Sequence, residues 1–413
     1  MSTTPIPAAA PGDGAAERPT GFTPPPYPYD RLAAVAALAA RHPGGLVDLS
    51  VGTPCDPPPE PVVRALSTSG AERSYPSSVG STAYREAAAS WMRRRFGVVV
   101  DCSAVAACVG TKELVATTAW FLRLRRPERD TVLHPAVAYP TYAMGATLAG
   151  CRAVGVPEAP GGGLDLHAVD GADAARAVLL WVNSPANPSG SLTDLEAAAA
   201  WGRRHGVPVL SDECYAEFTW PPAAPTSILQ YGTEGVLAVH SLSKRSNLAG
   251  VRAGCYAGDP DLVGYLSEVR KHAGFLVPGP VQAAAVAAWN DDEHVAHQRA
   301  RYQHRLELVS AALARAGLEA PMPRGGFYLW VPVPDWAHEL ARPSGRGGAW
   351  LLAETLAVTA GVLVSPGEFY GAGGAGHVRL AVVQPDGVLE DVAARLASAA
   401  LEDAAAGLVA RSR

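Results

Sequence analysis

A lysine stands alone among small and hydroxyl-bearing residues in the run SLSKRSNLAGVRAG, residues 241–254. A lysine kept from water has a lowered pKa and can form an imine with an aldehyde. Ser241, Ser243 and Arg252 surround Lys244 in the same run. Small hydroxyl residues, a guanidinium and the N–H groups of a helix start are what a phosphate needs. Other candidates are Gly110-Thr111-Lys112, Tyr139 in AYPTY, Asn187 in NSPANPSG, and Asp212 with Tyr215 in SDECY. A carboxylate buried at a strand end can pair with a pyridinium nitrogen and keep it protonated. An aromatic ring can stack on a planar one.

These residues can meet only if the elements before them end at one edge. Apolar runs such as AVAACVG, DTVLH, ARAVLLWVN, VPVLSDE, GVLAVHS and VRAGCYAGD read as strands. Helical runs alternate with them: TKELVATTAWFLRL, TYAMGATLAG and TDLEAAAAWGRRHG. An earlier helix, STAYREAAASWMRRRFG, has Ser81 or Thr82 as its cap and Gly97 as its stop. The alternation means βαβ units and an α/β fold, a mostly parallel central sheet sandwiched by helices. In such sheets ligands bind outside the carboxyl ends of the strands, where each candidate falls. Beyond about Asp261 longer helices and the runs GGFYLWVPV, VLVSPGEFYG and HVRLAVV suggest a smaller α/β lobe with an antiparallel sheet.

Each candidate alone has a plain structural reading. Asn187 can be a turn residue beside Pro188, Asp212 a helix cap, Lys244 a solvated loop lysine and Tyr139 ordinary packing. The two serines can be turn chemistry. Chance does not easily bring all of them to one edge of one sheet. An aldehyde, a pyridinium and a phosphate are together the three handles of pyridoxal 5'-phosphate.

The chain has 413 residues, which fits two domains, and 48% of them are hydrophobic. Charged residues make up 18% and the formal net charge is −5, which gives no footprint for nucleic acid or an acidic membrane. None of the six cysteines forms a C-x-x-C pair or zinc spacing, so buried, reduced thiols in a cytoplasmic protein are expected. Residues 1–22 are rich in Pro, Ala, Gly and Thr and lack a secretory pattern, so they read as a disordered arm. No apolar stretch approaches the ~20 residues that span a bilayer.

With these motifs assembled, the sequence resembles the class I/II aminotransferases of the fold-type I pyridoxal-phosphate enzymes, from about Tyr29 to about Leu401. NSPANPSG, SDECY, SLSK with GVRAG, and HVRLA carry the resemblance in the family's order. It implies that Lys244 binds the cofactor aldehyde and shuttles the substrate proton, and that Asp212 partners the pyridine nitrogen. It implies that Asn187 and Tyr215 donate to the phenolic oxygen and that Tyr139 stacks on the ring. Ser241, Ser243, Arg252 and the backbone at Thr111 and Lys112 become the phosphate site. Arg379 grips the substrate α-carboxylate, and the loops at Gly52 and Gly326 close over the substrate. Tyr75 reaches a partner subunit's phosphate, which implies a homodimer with shared active sites. The family's organisation implies residues 23–60 packing on the small domain, a cofactor domain over 61–285 and a small domain over 286–413.

Two positions depart from the family's habit. Tyr84 stands where Leu is common, a change expected to affect packing and not chemistry. Tyr370 stands where Phe commonly precedes Gly371 and adds a hydroxyl near the substrate. The finer resemblance, through DLSVGTPCDPPP, GTKELVA, LAVHSLSK, RKHAGFLVPGPVQAA and PGEFYG, is to actinobacterial N-succinyldiaminopimelate aminotransferases. That implies glutamate as donor and N-succinyl-2-amino-6-oxopimelate as acceptor, in lysine and diaminopimelate synthesis. Such acidic substrates need a second cation, for which Lys112, Arg73, Lys271 and His272 are candidates. An aminotransferase of aspartate, alanine or aromatic type, or a carbon–sulfur β-lyase, would use the same core residues. A regulatory amine-sensing domain would need a DNA-binding module before residue 22, where only the Pro/Ala-rich arm lies.

Overall fold

A computed structural model of the chain describes residues 21–411. The expected disordered arm lies outside these residues except for Gly21 and Phe22, which are exposed. After β1 (Val47–Asp48) come β2 (Val105–Cys108), β3 (Thr131–Pro135), β4 (Arg152–Val156), β5 (Ala177–Asn183), β6 (Val209–Asp212), β7 (Val236–Ser241) and β8 (Gly254–Gly258). The smaller lobe adds β9 (Tyr328–Pro332), β10 (Val362–Leu363), β11 (Ser365–Pro366) and β12 (His377–Ala381).

Strands β2 to β8 form one seven-stranded sheet in the order β2-β8-β7-β6-β5-β3-β4. All neighbours are parallel except β8, which runs antiparallel to both β2 and β7. Nearly continuous burial of β2 and β5 to β8 explains their unbroken apolar sequences, because both faces are covered. One face packs on Trp91, Trp201 and Trp289, the other on Phe121, Tyr142 and Leu266. The expected α/β architecture, a mostly parallel sheet with a smaller lobe, is what the chain adopts.

Local chemistry sets the helix ends. Ser81 caps the helix Thr82–Phe96 by accepting from Tyr84 N at 3.2 Å, and left-handed Gly97 ends it. Asp194 caps Leu195–His205 in the same way, through Ala197 N at 2.9 Å. The helix Thr111–Arg125 follows Gly110, which offers no side-chain cap. Its first amide groups are therefore uncapped where Thr111 and Lys112 line a cavity.

The smaller lobe pairs β11, β12 and β9 in an antiparallel sheet. Its core includes Leu329, Leu352 and Leu380 and also takes in Leu32, Val35 and Ala39 from the N-terminal segment. The expected boundary at 285/286 falls inside the helix Gly279–Trp289. That helix packs on Glu60–Thr68 and Thr82–Phe96, beside the large sheet. Tyr84 does more than pack: its buried hydroxyl donates to Gly254 O at 2.7 Å and holds the start of β8. Cys108 and Cys255 are buried as expected, but Cys55 is exposed and Cys102, Cys151 and Cys214 are part-buried; all six are free. Among the described residues no helix is long and apolar enough to cross a membrane, and no cluster of His, Cys, Asp or Glu could hold a metal.

Candidate functional site

A cavity of about 490 Å³ opens at the carboxyl edge of the large sheet, against the smaller lobe. Gly52, Thr111, Lys112, Tyr139, Asn187, Asp212, Tyr215, Ser241, Ser243, Lys244, Arg252 and Arg379 all line it. Each large-lobe residue sits where a strand has just ended, or just before β8 begins.

Lys244 is not in an open loop. It lies on a one-turn helix, Leu242–Arg245, whose cap is Ser241: the Ser241 Oγ accepts from Ser243 N at 3.1 Å. The lysine Nζ donates to the Gly52 carbonyl across the cavity. Desolvation lowers its pKa to about 8; Arg379 and Arg252 push the same way, and the Cys214 thiol opposes them. Arg245, next in sequence, is buried and anchors the turn through Glu217 at 3.2 Å and Asp292 at 3.0 Å.

Asp212 ends β6 and is buried. Its carboxylate accepts from the Tyr142 hydroxyl at 2.8 Å and from Cys214 N at 3.2 Å. Burial raises its pKa, while those hydrogen bonds pull it down. No cation among the described residues pairs with it. Tyr142 was not foreseen, although it lies three residues beyond Tyr139 in AYPTY.

Asn183 is a second unforeseen member. Its Oδ1 accepts from Asn187 N at 2.8 Å and its Nδ2 donates to Asp212 O at 2.9 Å, which ties the NSPANPSG loop to the end of β6. Asn187 Oδ1 in turn accepts from Arg379 Nη1 at 2.8 Å. Tyr215 meets Tyr328 hydroxyl to hydroxyl at 2.8 Å. Burial, then the neighbouring Tyr328, raises the Tyr215 pKa.

Arg252 holds a left-handed backbone, φ 62°, just before β8. Such a conformation costs on the order of 1–3 kcal/mol outside glycine. Its Nη1 donates to Ala249 O at 2.7 Å. A Cβ on Gly110 would sit 2.1 Å from the Arg252 guanidinium, and Gly110 itself has φ +70°. Glycine there lets the arginine, the helix start at Thr111 and the serines converge on one anion-sized space.

Arg379 is buried in β12. It lies over the rings of Tyr328 at 4.2 Å and Tyr370 at 4.8 Å, and one nitrogen, Nε, has no partner. The surrounding phenols outweigh burial and keep its charge secure. The N-terminal segment closes this side: Tyr29 OH accepts from Arg379 Nη2 at 3.3 Å and meets the Tyr370 hydroxyl at 3.1 Å. Tyr27 OH accepts from Lys112 at 3.4 Å. Burial works to lower the Lys112 pKa, but Tyr139 and Tyr27 raise it overall.

Several expected members lie elsewhere. Gly326 does not line the cavity; its carbonyl accepts from Trp220 Nε1 at 2.9 Å, and its neighbour Tyr328 takes the cavity wall. Arg73 and Lys271 are exposed and face Glu72 and Glu268 on the surface, and His272 is exposed too. Of the four candidates for a second cation, Lys112 alone lines the cavity. Tyr75, expected at a partner subunit's site and not at this one, is 98% exposed.

Comparison with known proteins completes the description. The family profile "Aminotransferase class I and II" matches residues 45–396. The chain is 43% identical to the 4-dedimethylamino-4-oxo-anhydrotetracycline transaminase OxyQ of Streptomyces rimosus, over 90% of this chain and 99% of that one. It is 41% identical to a probable aminotransferase of Mycobacterium tuberculosis, over 92% of this chain and 90% of that one. A solved probable N-succinyldiaminopimelate aminotransferase from Thermus thermophilus superposes with a TM-score of 0.77 at 30% identity, covering 91% and 99% of the two chains.

Proposed function

The chain belongs to the class I and II aminotransferases, enzymes that use pyridoxal 5'-phosphate, and on that premise we propose how its cavity works and on what. The observation that carries the reading is the convergence of Lys244, Asp212, Arg252 and Arg379 on one cavity. The residues fit the cofactor. A buried carboxylate without a cation suits a pyridinium, and the space kept open by Gly110 beside Arg252 suits a phosphate.

Ser241, Ser243, Arg252 and the helix start at Thr111 and Lys112 would hold the phosphate. Asp212 would hold the pyridine nitrogen, Tyr139 the ring face, and Asn187 and Tyr215 the phenolic oxygen. When bound, the cofactor supplies an aldehyde to take the amino group and a ring to stabilise charge developing at the substrate α-carbon.

Arg379 orients the substrate by its α-carboxylate. A planar guanidinium fork suits that group, and stacking between two phenol rings fixes the fork. Substrate takes over hydrogen bonds that Tyr29 and Asn187 make to the arginine in the free chain. Lys244 Nζ, its pKa lowered to about 8, accepts and returns the α-carbon proton. Tyr27 and Tyr29 narrow the entrance and exclude water.

Glutamate is the donor in this reading. Lys112, between the Tyr27 and Tyr139 rings, is the cation for its distal carboxylate. The acceptor is N-succinyl-2-amino-6-oxopimelate, in lysine and diaminopimelate synthesis; the motif resemblance and the Thermus relative's name support it. A second acceptor reading is a bulky polycyclic ketone. The 43% identity to OxyQ and the phenol-lined mouth at Tyr27 and Tyr29 favour it. The enzyme works as a cytoplasmic homodimer, with exposed Tyr75 reaching the partner's phosphate site.

A half-reaction screen tests the donor. Glutamate is expected to convert the bound cofactor to its amine form; failure to do so removes the glutamate reading. An acceptor panel then separates the succinylated oxo acid from polycyclic ketones, and release of pyruvate from cystathionine would instead mark a β-lyase.

A further inference from the structure

On the face of the sheet away from the cavity, two ionisable side chains meet in a dry interior. Glu213 directly follows Asp212 at the end of β6, and His240 directly precedes Ser241 in β7. Glu213 N donates to Val239 O at 2.9 Å, which sets the two side chains abreast. His240 Nε2 lies 3.3 Å from Glu213 Oε2, with both residues buried and neither atom holding another partner. The imidazole stacks on Phe96 at 5.6 Å and meets the edge of Trp91 at 4.8 Å. Glu213 Oε1 is fixed by Ile228 N at 2.7 Å.

The nearby charges do not make this an ion pair. Arg245 faces the imidazole but is engaged by Glu217 and Asp292. Burial and the Asp212 charge disfavour the ionised carboxyl and outweigh Ile228 N and the Ser227 and Ser211 hydroxyls, which favour it; Cys255, across β7, is a neutral thiol. Separating two charges in such a place costs several kcal/mol per ion, whereas a carboxylic acid and a neutral imidazole can share one proton.

We propose that Glu213 and His240 form a neutral, one-proton couple, the acid donating to imidazole Nε2, that locks β6 and β7 from behind and so positions Asp212 and the Ser241–Lys244 turn. Neither residue lines the cavity, so the couple acts on Asp212 and Lys244 through position alone. Burial agrees, pushing the carboxyl up to about 8 and the imidazole down to about 3. The positioning half rests on the roles proposed for Asp212 and Lys244; the couple itself does not.

Infrared spectra and urea unfolding of the cofactor-free chain test the couple. At neutral pH the wild type should show a buried carboxylic-acid carbonyl band that Glu213→Gln lacks. The unfolded chain releases the Glu213 proton first, so wild type loses stability relative to Glu213→Gln as pH rises from about 4.5 to about 8. A missing band or a flat stability difference overturns the couple. For positioning, Glu213→Gln keeps a donor and should hold cofactor affinity within about twofold, whereas His240→Phe should weaken it about tenfold. His240→Phe should also shift the pH at which the bound cofactor's visible band changes, with the KM for glutamate unmoved. Unchanged affinity and band pH in His240→Phe overturn positioning and leave the Lys244 and Asp212 roles standing. If His240→Phe does not fold, Glu213→Leu reads the same two quantities.

Discussion

The Tyr142 hydroxyl donates to Asp212 Oδ2 at 2.8 Å, and both side chains are buried in the wall of the cavity. The phenol partly offsets the burial that raises the Asp212 pKa. A charge-assisted hydrogen bond of this kind contributes about 1.5–3 kcal/mol. On the role proposed for Asp212, Tyr142 would tune how strongly the carboxylate holds a positive ring nitrogen.

Tyr142→Phe is expected to weaken pyridoxal 5'-phosphate binding by about tenfold and to lower kcat, with KM for the amino donor little changed. Equilibrium dialysis and steady-state kinetics measure the three quantities. Unchanged cofactor affinity would remove Tyr142 from this role.

Lys244 makes the cofactor-free chain pH-sensitive. Its folded pKa, lowered to about 8, means the unfolded chain holds the proton more tightly between about 8 and about 10.5. Stability from this group therefore rises with pH across that window. Lys244→Met should be more stable than wild type below about pH 8, and the gain should fade towards about pH 10.5. Urea titrations across the window check the slope. The same substitution should abolish transamination and the pH-dependent imine band of the cofactor-loaded protein.

The two substrate cations should separate kinetically. Arg379→Ala is expected to raise KM about 100-fold or more for every amino donor, since a buried charged contact is lost. Lys112→Ala should raise KM about tenfold for glutamate and aspartate and leave alanine unaffected, with cofactor affinity held because the backbone N–H at 112 remains. Equal effects of Lys112→Ala on acidic and neutral donors would contradict the distal-carboxylate role.

Gly52→Ala should strike the site without touching its charges. The added methyl would lie 2.1 Å from the Tyr328 hydroxyl, which pairs with Tyr215. Tyr328 must shift, and the Tyr215 hydroxyl loses its partner. Overpacking of this sort costs about 1–3 kcal/mol. A melting point lower by several degrees and a reduced kcat are expected; wild-type values of both would show that the loop at Gly52 yields instead.

The sequence made the large-lobe part of the site legible because βαβ order alone sends Thr111, Asn187, Asp212 and Ser241 to one edge. Arg379 and Tyr215 were recognisable through motifs. Tyr27 and Tyr29 were not, because they reach the cavity from the far end of the chain: Tyr29 meets Arg379 across 350 residues. The one-turn helix under Lys244 is four residues long, too short for any periodicity to declare itself. The left-handed backbone of Arg252 leaves no mark in residue type either. Gly326 came only from the family resemblance; its positive φ serves a turn whose carbonyl holds Trp220, and it does not line the cavity.

The reversal of β8 has a consequence for how this gene can change length. Because β8 returns beside β7 with Ser241 facing Gly254, residues 242–253 form a closed bridge between two pinned strand ends. Both strands are buried on both faces, so sliding either by one residue would exchange the side chains packed on its two sides, and the bridge cannot pass a gained or lost codon on to them. The largely exposed run 157–162 after β4 joins no strand of the large sheet and is closed by a single bridge, Glu158 to Leu164. Insertions and deletions that preserve activity should accumulate there, while the bridge carrying Lys244 and Arg252 behaves as a ruler of fixed length.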